Sequence, residues 1–201
     1  MKDWHELARE INEWALRNYG AKSEPWQLLL GMVEEIGEFV DSREKNSREG
    51  MADSLGDQAI YALNLAFTMG VEFPAFDEPK LIMYDTLMKG IGTASRGILK
   101  KSQGIRGYDE AKTRGVVSQG LDCWRRWANQ QVRMYALQPL RLITCDVWAQ
   151  VSQRDWKKNP QTGAVNDEQD IQAPDQWAYK YHPVGRCNNW PQCEDCGPPR
   201  L

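Results

Sequence analysis

The sequence predicts an all-α fold, an antiparallel helical bundle followed by an irregular C-terminal tail, and three observations carry the prediction. Apolar residues recur at three- and four-residue steps through most of residues 3–156, the period of helices with one buried face. Stop and start signals punctuate these windows, with Gly20 ahead of Pro25, and the third window runs to Gly70 before a loop that carries Pro74 and Pro79. Glycine suits the left-handed end of a helix and proline its first turn. The link Glu44–Gly50 is short and polar, which makes the helices on either side of it antiparallel neighbours.

Taken in order, residues 3–19 form the first helix, packing through Trp4, Leu7, Ile11, Trp14 and Ala15 or Leu16. His5 precedes that stripe without an evident partner and is assigned no role. Lys22-Ser23-Glu24-Pro25 starts the second helix, whose stripe is Leu29, Met32, Val33, Ile36, Phe39 and Val40, with Trp26 read as core. The third is apolar nearly all round from Leu55 to Gly70, so most of its circumference is buried. Residues 71–79 read as a loop. Residues 80–103 form a fourth helix weakened by Gly90, Gly92 and Gly97. With Ala94 and Ser95 these glycines suit a close helix–helix approach, a subunit interface included. Residues 108–137 form a long helix, bent or broken near Gly115 or Gly120. Its Trp124 and Trp127 are read as core, with Arg125 and Arg126 on a solvated face. Pro139 opens a last helix through about Trp156, with Leu140, Ile143, Val147 and Val151 as its stripe. Cys123 and Cys145 lie on helices and are read as buried thiols.

Chemistry concentrates in two acidic clusters, Glu34-Glu35-Ile36-Gly37-Glu38 and Asp53-Ser54-Leu55-Gly56-Asp57. Helical spacing puts Glu34, Glu35 and Glu38 on one side of the second helix, roughly opposite its apolar stripe. On the third helix Asp53 and Asp57 are one turn apart, and Asn64 lies two turns beyond Asp57 on the same side. Acidic residues opposite a stripe are ordinarily a solvated face. Asp57 departs from that reading, because it is the only charge between Leu55 and Gly70, and a lone buried carboxylate is costly unless paired or bound to a metal. All-carboxylate ligation without His or Cys suits a hard cation, Mg²⁺ or Mn²⁺, which in turn would hold a polyphosphate.

Glu-Glu-x-x-Glu followed by a Gly-Asp helix resembles the MazG-like all-α nucleoside triphosphate pyrophosphohydrolases, over about residues 1–70 closely and the rest of the chain loosely. The family pattern ends in Glu-x-x-Asp, whereas the residue three before Asp57 is Ser54; Asp53, a full turn before Asp57, is taken as the substitute ligand. The resemblance implies Mg²⁺ (or Mn²⁺) on Glu35, Glu38, Asp53 and Asp57, and Glu34 or Glu35 as the base. It implies hydrolysis of a ribo- or deoxynucleoside triphosphate to the monophosphate and pyrophosphate. Tyr61, one turn after the aspartate, then faces the nucleotide. Gln27, two turns before Glu34 with Gly31 between them, and Asn64 supply a substrate-reading edge. In such proteins a Lys/Asn segment after the last helix closes over the triphosphate, which points to Lys157 or Lys158. The wording is most similar to bacteriophage members, a branch of which takes dGTP and GTP, and family members form homodimers or homotetramers.

The chain has 201 residues and a net charge of −3, enough for one substantial core. Residues 1–163 are assigned to the helical domain and 164–201 to the tail. No 18-residue apolar run occurs and the N-terminus is too polar for a signal peptide. That excludes a membrane partner, and five cysteines without a secretion signal point to the cytoplasm. Charge is uneven: residues 24–57 carry nine acidic and three basic side chains, residues 89–158 fourteen basic and five acidic. An acidic cation site facing a basic half suits a triphosphate enzyme. It also keeps open the competing class, a non-enzymatic nucleic-acid-binding helical protein. In that reading Arg125 and Arg126 interleaved with Trp124 and Trp127 form the contact patch, and His182, Cys187, Cys193 and Cys196 of the tail form a small zinc knuckle.

Overall fold

In the computed structural model of the chain, which describes residues 2–20, 23–73 and 84–159, the helix built from Arg48–Met69 is the one the others gather on. Six helices succeed one another: α1 Trp4–Tyr19, α2 Pro25–Glu44, α3 Arg48–Met69, α4 Tyr84–Ser102, α5 Glu110–Met134 and α6 Leu140–Val151. Among the described residues these six helices are the only regular elements and there is no strand, so the described part of the chain is all-α. α3 packs most extensively on α2 and also touches α1, α5 and α6, while α4 lies along α5. Its sequence explains this centrality. Leu55, Ala59, Ala62, Leu63 and Leu65 give it a wide apolar arc, and all five are fully buried.

The helix ends are set by local chemistry. Asp3 accepts the Glu6 backbone N–H at 2.7 Å to open α1, and Gly20 closes it at φ 72°. Pro25 occupies the first turn of α2, and Gln27 Oε1 accepts the Glu24 N–H at 2.9 Å. Ser47 caps α3 through the Gly50 N–H at 3.0 Å, and Gly70 ends it at φ 61°. Asp109 caps α5 through the Lys112 N–H at 2.8 Å.

Several expectations are corrected. Trp26 is 50% exposed and Val33 41% exposed, because Leu28 and Leu29 bring α2 onto its neighbours and turn Trp26, Leu30 and Val33 outward. On α1, Ala15 is buried and Leu16 exposed. α5 runs unbroken through Gly115 and Gly120. α6 ends at Val151, with turns beyond it rather than helix to Trp156. Cys123 and Cys145 are half-buried. The tail, including His182, Cys187, Cys193 and Cys196, and residues 74–83 lie outside the described residues.

Two of the three glycines of α4, Gly90 and Gly97, serve a contact within the chain, whereas Gly92 has nothing within 4 Å of an added Cβ. A Cβ at Gly120 would stand 2.9 Å from the Gly90 carbonyl oxygen and 2.8 Å from Ala94 Cβ, and one at Gly97 would stand 2.2 Å from Val116 Cγ2. α4 and α5 therefore meet almost backbone to backbone. Gly115 has nothing within 4 Å of its added Cβ. Gly120→Ala is expected to destabilise the fold by about 1–3 kcal/mol despite alanine's better helix propensity. Gly115→Ala is expected to stabilise it by about 0.5–1 kcal/mol. Urea unfolding of the two variants beside the wild type checks both signs.

Candidate functional site

A cavity of about 510 Å³ opens between α1, α2, α3 and the turn after α6. Glu35 comes from α2, Asp57, Tyr61 and Asn64 from α3, and Tyr19 from α1, with Arg154 and Trp156 from beyond α6. The helical periodicity of α3 lines these groups up: Asp57, Tyr61 and Asn64 fall three or four residues apart on one face. At 1.5 Å per residue, Asp57 and Asn64 are separated by roughly 10 Å along the axis.

Two close approaches shape the wall. A Cβ at Gly31 would lie 2.4 Å from Tyr61 Cζ, so the missing side chain of α2 is the place the tyrosine ring occupies. The segment after α6 is fastened to α1 by two hydrogen bonds. Trp14 Nε1 donates to the Arg154 carbonyl at 3.2 Å, and the Trp156 backbone N–H donates to Asn18 Oδ1 at 2.7 Å. Deeper in, Asn12 Nδ2 donates to Asn64 Oδ1 at 3.2 Å, both residues being buried.

The electrostatics are those of acids deprived of water. Burial, then the charges of Asp57, Glu38, Glu34 and Asp53, push the Glu35 carboxyl up to about 8. Burial, then Asp53 and Glu38, raise Asp57 to about 6, against the opposing charge of Arg154. Burial and Glu35 push the Tyr61 hydroxyl up to about 12. Asp53 is also raised, first by its loss of solvent and against Arg154, although its edge stays open to water. Glu35 Oε2 is buried and has no hydrogen-bond partner.

Of the residues singled out in the sequence, Gln27, Glu35, Asp57, Tyr61 and Asn64 line the cavity together. Glu34, Glu38 and Asp53 stand on the exposed side of the same helices and reach the site through their charge. Ser54 is turned inward, its hydroxyl donating to the Gly50 carbonyl at 2.9 Å, so Asp53 is the acidic residue on that turn nearest the rim. Lys157 and Lys158 are exposed and do not line the cavity; their backbone N–H groups cap on Asp155 Oδ1 at 3.2 and 3.1 Å. Arg154 is the cation that does. It stands in the turn beyond the end of α6, where helical spacing no longer applies, and no sequence pattern marked it. Arg125, read with Arg126 as a solvated face or a nucleic-acid patch, is buried and paired with Asp122 at 3.1 Å.

A divalent cation fits the donor set, since the ligands are hard oxygens and one of them is an orphaned buried atom. Among the described residues, no three His, Cys, Asp or Glu side chains are gathered closely enough to enclose an ion as they stand. The described residues also hold no helix long and apolar enough to cross a membrane. The chain matches no protein-family model, no curated protein and no solved structure.

Because both acids are raised on folding, the native state keeps protons that the unfolded chain has already released. Ion-free stability from these groups therefore falls with rising pH, from 3.8 to about 6 for Asp57 and from 4.5 to about 8 for Glu35. In chelator, Glu35→Gln is expected to be more stable than the wild type at about pH 8, with the gap closing towards about pH 4. Denaturant titrations across that range check it; a variant less stable than the wild type at the alkaline end contradicts the assignment.

Proposed function

We propose that the protein is a Mg²⁺-dependent nucleoside triphosphate pyrophosphohydrolase of the MazG-like antiparallel-bundle kind, releasing the monophosphate and pyrophosphate. The observation that carries the reading is the pairing, in one cavity, of two desolvated carboxylates and an arginine with aromatic and amide walls. Glu35 and Asp57 would hold the cation, with Glu38 and Asp53 of the same helices as its further carboxylate ligands. The ion, when bound, neutralises phosphate charge and makes water a better nucleophile. Glu35 accepts the proton of the water whose oxygen attacks the α-phosphorus, a role that its place in the cavity favours over exposed Glu34. The bond from the α-phosphorus to the bridging oxygen breaks, and pyrophosphate leaves with that oxygen. Arg154 meets the phosphate charge, and its planar guanidinium suits two oxygens at once. Tyr19, Tyr61 and Trp156 offer faces for the base and sugar, with Asn64 and Gln27 as polar contacts.

Pyrophosphate release from the eight common ribo- and deoxynucleoside triphosphates, dGTP and GTP among them, tests this directly. The expected result is Mg²⁺-dependent release from a subset. Glu38→Gln and Asp57→Asn are expected to lower it by at least about 100-fold, and Arg154→Ala by about 10-fold or more. Folded protein that releases nothing from any of the eight overturns the proposal and favours a binding protein.

A further inference from the structure

Gln58 is the residue after Asp57, and it faces away from the cavity. Its side chain is fully buried, yet it carries an amide, which is expensive to bury unless both ends are bonded. Both ends are. Gln58 Nε2 donates to the backbone carbonyl of Glu35 at 3.1 Å, and Gln58 Oε1 accepts from Trp124 Nε1 at 2.9 Å. Trp124 is itself fully buried on α5 and stacks at a tilt on Phe73, with ring centroids 6.3 Å apart. One side chain thus joins three helices at the level of the acidic pair. It ties the turn of α2 bearing Glu35 to the turn of α3 bearing Asp57, and anchors both to α5.

The Glu35 carbonyl already lies within a continuous helix, so the fold does not require this bond to satisfy it. A Leu or Met at residue 58 would fill the space and leave no buried amide to satisfy. What the amide adds is direction: a hydrogen bond resists sliding of α2 along α3, whereas apolar packing tolerates it. We propose that Gln58 is a positioning residue for the acidic site, setting the separation of Glu35 from Asp57 through the chain Glu35 carbonyl, Gln58 amide, Trp124 indole. The proposal rests on the divalent-cation reading above, because the separation matters only to a ligand that both carboxylates hold.

Mn²⁺ binding, followed by the electron-spin signal of the free ion, tests it in the full-length protein. Gln58→Met strands the Trp124 N–H, so it is expected to lower Tm as well as affinity. Gln58→Met combined with Trp124→Phe removes donor and acceptor together and recovers part of that Tm. The expected result is that the double variant, though thermally recovered, still binds Mn²⁺ about 10-fold or more weakly, the usual loss when a group orienting a ligand is removed. Trp124→Phe alone keeps the Glu35 contact and is expected to lose less affinity than either. A double variant with wild-type Mn²⁺ affinity overturns the positioning role while leaving the metal site standing. A wild-type protein that binds no Mn²⁺ overturns the cation reading, and the positioning role with it.

Discussion

Asp57 is the one charged residue on α3 between Leu55 and Gly70, and α3 is the helix on which α1, α2, α5 and α6 all pack. The carboxylate is held half-buried in the wall of the cavity. Glu35 meets it from α2 under the same constraint, with one oxygen buried and unpartnered. Isolated ionised groups in such surroundings either keep their protons or find a counter-charge. In the ion-free protein they keep their protons to about 6 and about 8. The two acids thus form an electrostatic deficit, which the proposed cation would meet.

The neighbouring features follow from holding that deficit open. Gly31 gives Tyr61 room to lie across α2 beside Glu35. Trp14 and Asn18 hold the turn after α6 against α1, so that Arg154 acts on Asp53, Asp57 and Tyr19 together. On the far side of the same turns, Gln58 and Trp124 link the acidic level to α5. α4 and α5 stand behind these parts as a closely seated pair, possible because Gly90 and Gly120 bring their backbones together.

Much of this was legible from residue spacing. The six helices and the left-handed stop at Gly20 follow from the apolar period and that glycine, and the near-complete burial of α3 follows from its composition. Asp57 stood out for the same reason, a charge where the pattern allowed none. What the sequence hid was contact between distant segments. Trp26 looks like core by residue type, yet Leu28 and Leu29 decide which face of α2 turns inward. Gly115 and Gly120 look like breaks in a helix, and only the presence of α4 explains why one of them must be small. Lys157 and Lys158 stood out by charge density, but where the chain turns after Val151 selects Arg154. Tyr19 and Trp156 carry no motif at all; they belong to the cavity because α1 and the last turn fold over it.

The most direct test of the central claim, that Glu35 and Asp57 leave a charge deficit a divalent cation fills, is thermal unfolding at about pH 8 with and without Mg²⁺. A ligand bound only by the folded state raises Tm, by more the further its concentration exceeds Kd. A clear rise is expected for the wild type and a rise largely abolished in the Glu35→Gln, Asp57→Asn double variant, whose ion-free form already melts higher. A wild type indifferent to Mg²⁺, or a double variant that gains as much as the wild type, contradicts it.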